Sequence, residues 1–204
     1  MSYIPAKPIS AYPWFVRLVL RRQIRKYGRV LAPSRLWGRL PGPFLAMLTA
    51  LGAFQHRRYP VDAALRSLVS IRVAQLNGCR FCIDLNAHSY LKASDAEEKA
   101  HEVADWRESA LYSDRERAAL DYAEQVTSRC EAIGPDTISR LRKLFTEDEV
   151  TALTAWISFQ NMSAKFNAAL GAEEHGFCRV PGGGAEARTP EWLGGLPDAA
   201  PENF

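Results

Sequence analysis

The chain has 204 residues, 47% hydrophobic and 24% charged, which suits one domain with a substantial core and excludes an intrinsically disordered polymer. Twenty-six Lys and Arg against 23 Asp and Glu give a net charge of +3, too small to mark a polyanion-binding protein by bulk charge. The distribution is uneven: eleven basic residues and no acidic one precede Asp62, and the remainder is net acidic.

In chain order, residues 1–12 are Pro-rich and expected to lie extended against the body. Helical periodicity begins at Trp14 and is predicted to run to Tyr27. Trp14, Leu18, Val19 and Ile24 are expected on the packed side, with Arg17, Arg21, Arg22, Arg25 and Lys26 opposite. Those cations could serve anionic lipid or nucleic acid. They could equally belong to an ordinary amphipathic helix whose acidic counterparts lie elsewhere in the fold or on a second subunit. No nucleic-acid motif accompanies them. The apolar piece over 12–20 contains Arg17 and follows Pro-rich rather than cationic sequence, so it is not read as a signal peptide and the expected location is the cytoplasm. No uncharged apolar run is long enough to predict a membrane span.

Pro33, Gly38, Pro41, Gly42 and Pro43 make residues 29–43 a segmented connector. A helix is predicted over 44–59, with His56 at its exposed end. Asp62 is placed to cap a helix running to Leu76, with Leu65, Leu68, Val69, Val73 and Leu76 as its buried stripe. Arg66 and Arg72 are the charged exceptions, and Arg72 is expected to be partly buried and paired. Asn77-Gly78 breaks the chain before a second helix that opens on Cys79-Arg80-Phe81-Cys82. Ala100, Val103 and Trp106 suggest a further short helix. Ser113 with Glu116, and Thr146 with Glu149, are capping boxes that open two later helices. A short helix over 137–145 lies between them, and Gly171 ends the last. The Gly- and Pro-rich tail from Pro181 lacks periodicity. Nothing reads as a strand, so the expected class is all-α with roughly seven or eight helices.

Cys79 and Cys82 carry the strongest chemical signal. Their spacing puts both sulfurs on nearly the same helix face, within bridging reach. Unpaired N–H groups of the first helical turn favour a thiolate, as does the neighbouring Arg80. A metal site would need two further ligands, and Cys130 and Cys178 are distant in sequence and form no second tight pair. Structural thiols are the bland alternative, and a redox-active dithiol is the sharper one. Cys130 looks incidental; either it or Cys178 could serve as another resolving partner. No metal or cofactor is expected.

The stretch LVSIRVAQLNGCRFCIDLNAH over 68–88 resembles the carboxymuconolactone decarboxylase and alkylhydroperoxidase AhpD-like family. FTEDEV over 145–150 and QNMSAKFNAAL over 160–170 look like the last helix of its peroxidase-related members. The resemblance covers about residues 40–175. It implies an all-α family domain over 44–175, which the composition flanks with a basic helical arm and connector over 1–43 and an irregular tail over 176–204. It also implies a homo-oligomer, a dimer or larger, without a nucleic-acid or membrane partner.

The activity implied is reduction of organic hydroperoxides, with a dithiol protein or small thiol as reductant. Cys82 matches the peroxidatic position, which would pass through a sulfenate, and Cys79 matches the resolving one. The family's relay glutamate and histidine fall on Ser67 and Asn86, neither of which titrates as they do. His88 is a secondary substitute. At about 100° per residue it lies about 240° around the helix from Cys82, against about 40° for Asn86, so it is expected to point elsewhere. Tyr90 and Asp84 are not singled out by spacing. The rival readings are lactone decarboxylation or another small-molecule reaction in the same helical cavity, or a non-enzymatic binding or scaffold oligomer.

Overall fold

A computed structural model describes residues 2–177. All its regular elements are helical. Among the described residues the α-helices are α1 (Trp14–Tyr27), α2 (Ala32–Trp37), α3 (Pro41–Phe54), α4 (Ala63–Leu76), α5 (Arg80–Ala93), α6 (Glu97–His101), α7 (Asp114–Ser128), α8 (Pro135–Leu141) and α9 (Glu147–Ala169). These nine exceed the seven or eight expected, because the segment over 29–43 is not a plain connector. Pro33 sits in the first turn of α2, where its missing N–H costs nothing, and Pro41 opens α3 in the same way. Within α2, Pro33, Ser34, Leu36 and Trp37 are all buried.

The molecule is built on α4, which packs against α5, α7 and α9. Asp62 caps it as expected, accepting the Leu65 N–H at 2.8 Å. Burial runs all round the helix rather than along a stripe, from Leu65 through Val69 to Val73 and Ala74. Such a helix is a core helix. Each fully buried Leu, Val or Ile there contributes about 1.5–3 kcal/mol through removal from water. Leu76, expected in the stripe, is 38% exposed. Arg72 is paired as predicted, its Nε donating to Glu124 of α7 at 2.7 Å.

Both predicted capping boxes are complete, at Ser113 with Glu116 and at Thr146 with Glu149. Thus α7 and α9 start where the sequence says. The side assignment of α1 is corrected. Val16 and Leu20 are its buried residues, whereas Trp14 is 71% and Leu18 44% exposed, and Ile24 also faces outward. The physical reason is α2. Gln23 of α1 donates to Ser34 Oγ and accepts the Leu31 N–H, which turns the Val16–Leu20 side toward α2 and Trp37. None of the five α1 cations makes an ion pair among the described residues, so no acidic counterpart pairs with them within the described fold. No helix among the described residues is long and apolar enough to cross a membrane.

Candidate active site

The cysteines enter through a tight reversal between α4 and α5. Asn77 closes α4, and Gly78 takes φ 65°, a left-handed conformation that suits glycine. The Cys79 N–H then returns to the Ala74 carbonyl at 2.9 Å. Cys79 is the N-cap of α5, and its sulfur accepts the Cys82 N–H at 3.3 Å. Cys79 and Cys82 are joined in a disulfide, with their Cα atoms 5.2 Å apart. Both are buried, and they take different donors. The helix-start N–H serves Cys79, and the side-chain amide of Asn167 on α9 points Nδ2 at Cys82 Sγ at 3.4 Å.

A cavity of about 610 Å³ opens beside the bridge, and Cys82, but not Cys79, lines it. The volume suits a small organic ligand. Trp37, Leu48, Leu51, Phe81 and Phe159 supply apolar wall, and Trp37 stacks on Phe166 with ring centroids 3.9 Å apart.

Ser67, Asn86 and His88 all line this cavity with Cys82. Asn86 does not reach the sulfur with its amide. Its Nδ2 donates to the Cys82 carbonyl at 2.7 Å, one turn back along α5. His88 lines the same cavity on another side of α5, where it stacks on Phe177 rather than on the cysteine. Burial lowers the His88 pKa below the usual imidazole value and Lys92 adds to this, with Asp84 opposing, so the ring is neutral near pH 7.

Asp84 serves a different purpose. It is buried, lies outside the cavity wall, and its Oδ2 accepts the N–H groups of His175 and Phe177. It thereby ties the segment after α9 across α5. His175 Nε2 in turn accepts the Ala32 N–H at the start of α2, at 3.0 Å. Burial first, and then Arg29, lower the His175 pKa. Tyr90 is packed in the core away from the cavity, accepting from Ser94 Oγ. Cys130 is exposed and free, and Cys178 lies outside the described residues. His56 is exposed as expected, its Nδ1 accepting from the Arg58 N–H.

Two residues that sequence reasoning passed over stand out. Asn167, 1% exposed, touches the Cys82 sulfur. The signal for it was a polar stripe at i, i+3 and i+7, Gln160, Ser163 and Asn167, all three of which line the cavity. Arg66 was noted only as a charged exception; it is buried in the cavity wall beside Ser67.

The profile of the carboxymuconolactone decarboxylase family matches residues 43–125, which include the cysteine motif. The Escherichia coli (strain K12) protein YnjA is 39% identical over 174 residues, spanning 85% of this chain and 96% of YnjA. A peroxidase-related protein from Ralstonia eutropha JMP134 with an alkylhydroperoxidase AhpD core superposes with a TM-score of 0.78 at 20% identity, over 85% of this chain and 92% of that one. The debrominase Bmp8, as a cysteine-to-alanine variant in complex with 2,3,4-tribromopyrrole, gives a TM-score of 0.66 at 17% identity, over 86% of this chain and 96% of its own. These two likenesses concern the fold. With YnjA matched over nearly its whole length and the family profile spanning the cysteine helix, the chain belongs to the carboxymuconolactone decarboxylase family.

Proposed function

We propose that the protein is a thiol-dependent oxidoreductase that reduces organic hydroperoxides, with Cys82 as the attacking thiol and Cys79 as the resolving one. The observation that carries this reading is asymmetric access: the two sulfurs are bridged, yet Cys82 alone of the pair lines the cavity. In the reduced protein the Cys82 thiolate attacks the distal oxygen of the hydroperoxide. The O–O bond breaks, the alkoxide takes a proton and leaves as the alcohol, and Cys82 becomes a sulfenic acid. The Cys79 thiol then attacks that sulfur, water leaves, and the disulfide forms. A dithiol reductant supplies two electrons and two protons and departs as its own disulfide.

Asn167 favours the Cys82 thiolate by donating to its sulfur, since a hydrogen bond to the charged form lowers a pKa. Ser67, Asn86 and neutral His88 are the groups that can orient water or the leaving alkoxide from the cavity wall. Of these, His88 is the one that can carry a proton.

Mass spectrometry after a pulse of one equivalent of cumene hydroperoxide tests the assignment. Wild-type protein should form the Cys79–Cys82 disulfide. Cys79→Ser should accumulate a trappable sulfenic acid on Cys82, and Cys82→Ser should neither react nor turn over. Full turnover by Cys82→Ser would sink the reading. Asn167→Leu should slow the attack by about tenfold or more, the worth of a hydrogen bond to a charged group.

A second copy is the partner that the surface suits. α3 has an apolar sequence yet buries Phe44 alone, and Leu45 is 55% exposed. That exposed apolar residue on an apolar helix is of the kind that marks association. Sedimentation should show a dimer or larger that Leu45→Asp dissociates.

A further inference from the structure

The charges around the cavity are all of one sign. Arg22, Lys26 and Lys92 stand exposed at its margin, Arg66 is buried in its wall, and no Asp or Glu lines it. Arg66 is the most telling of the four. It is 8% exposed, and its guanidinium makes one hydrogen bond among the described residues, from Nη1 to the Val61 carbonyl at 2.8 Å. It forms no ion pair there. Asp62 attracts it electrostatically without a direct ion pair, its Oδ1 accepting the Leu65 N–H, and the rings of Tyr59 and Trp156 lie 5.1 and 5.9 Å from its guanidinium carbon. Trp156 is itself held by donating to the Arg66 carbonyl and to Ser70 Oγ, so the site is built rather than loose.

A guanidinium remains protonated even when burial lowers its pKa, as it does here. A buried guanidinium with a single hydrogen bond leaves most of its donors unmatched, and a ligand anion that pairs with them recovers part of the cost of burying the charge. The planar fork of donors matches a carboxylate. The rest of the wall is aromatic and aliphatic, which an ion of small size would leave unfilled.

We infer that the cavity takes an amphipathic organic anion, an alkyl or aryl body bearing a carboxylate that pairs with Arg66, and that Arg66 determines this specificity. Resting on the peroxidase reading above, the substrate class is the hydroperoxide of a hydrophobic carboxylic acid, with its peroxide group presented to Cys82. Arg22, Lys26 and Lys92 draw such an anion toward the opening, an effect that salt weakens. Arg22 and Lys26 of α1 thus have a use that needs no acidic partner within the fold.

Calorimetry on the wild-type protein in its disulfide form separates this inference from the redox chemistry, because no turnover is involved. Octanoate should bind about tenfold or more tightly than octanol. Arg66→Gln should bring that ratio close to one, and Arg66→Lys should keep part of it, which loss of folding would not. The joint Arg22→Gln, Lys26→Gln, Lys92→Gln variant should flatten the salt dependence. Equal affinity of the wild type for octanoate and octanol overturns the inference, as does a preference that survives in folded Arg66→Gln.

Turnover completes the separation. Linoleate hydroperoxide should exceed its methyl ester in kcat/KM by a similar factor. Octanoate preference without reduction of either peroxide refutes the peroxidase reading and leaves anion binding standing. Equal turnover of acid and ester, with no octanoate preference, refutes anion binding and leaves the peroxidase.

Discussion

The first three helices and the later pair α7 and α9 solve the same problem in opposite ways. α7 and α9 open on complete capping boxes, and their charges are matched: Arg72 and Arg107 both bind Glu124, Arg107 also binds Asp121, and Arg115 binds Glu149. α1, α2 and α3 have no side-chain cap and no acidic residue, and each starts at or beside a proline. Their stability comes from packing, through Val16, Leu20, Leu36, Trp37 and Phe44. The difference teaches that the later helices use polar groups to define themselves. The early helices place theirs on the cavity wall, Arg22 and Lys26 without an ion pair among the described residues and Gln23 bonded to Ser34.

The largest effect that bears on this contrast is in the apolar core. Leu153→Ala on α9, fully buried between α4 and α7, should cost about 2–5 kcal/mol in urea unfolding. Leu18→Ala on the exposed side of α1 should fall within about 0.5 kcal/mol of wild type. Equal losses would mean that α1 is packed by something the isolated chain lacks, and a dissociation assay on Leu18→Ala would then show it.

Charge removal should be equally lopsided. Glu124 is 13% exposed at its side chain and accepts from Arg72, Trp106 and Arg107. Burial raises its pKa, but the bonds from Trp106 and Arg107 and the charge of Arg72 outweigh that and hold it below the usual carboxylate value. Its contribution is therefore present above the ordinary carboxylate pKa and is lost as pH falls through the lowered one. Glu124→Gln should cost about 1–3 kcal/mol at neutral pH, because it leaves two guanidinium groups short of their partner. Arg21→Gln should be neutral or slightly stabilising, since it relieves repulsion among unpaired cations.

A smaller loss is expected at the caps. Thr146→Ala should cost about 1 kcal/mol by freeing the Glu149 N–H, a device for which α1 has no counterpart. Denaturant midpoints at constant m-value would check it.

His175, in the segment after α9, accepts from the first turn of α2 while its backbone is held by Asp84 of α5. Its lowered pKa means that the unfolded chain binds a proton more readily than the folded one. The stabilisation is present above the ordinary imidazole pKa of about 6.5 and is lost as pH falls through the lower folded value. Protonation also puts a cation against a helix N-terminus. The melting temperature should drop between about pH 7 and pH 5, and His175→Gln should flatten that drop. His88 contributes in the same direction, so the double variant should be flatter still.

Much of this molecule is written locally. Asp62, Ser113 and Thr146 announce helix starts because their side chains bond N–H groups three residues on. The Cys79-x-x-Cys82 spacing announces its own bridge for the same reason: the relevant distance lies within one helical turn. The family and the all-α class follow from such short-range signals. What the sequence alone misplaced depends on which neighbour arrives. The packed side of α1 was set by α2. Only the tertiary structure could bring Asn167, 85 residues away, against Cys82, or leave the Arg66 guanidinium buried without a carboxylate partner among the described residues. Local hydrogen bonds carry their partners in the neighbouring sequence, whereas burial and charge neutralisation are properties of what packs from elsewhere in the chain.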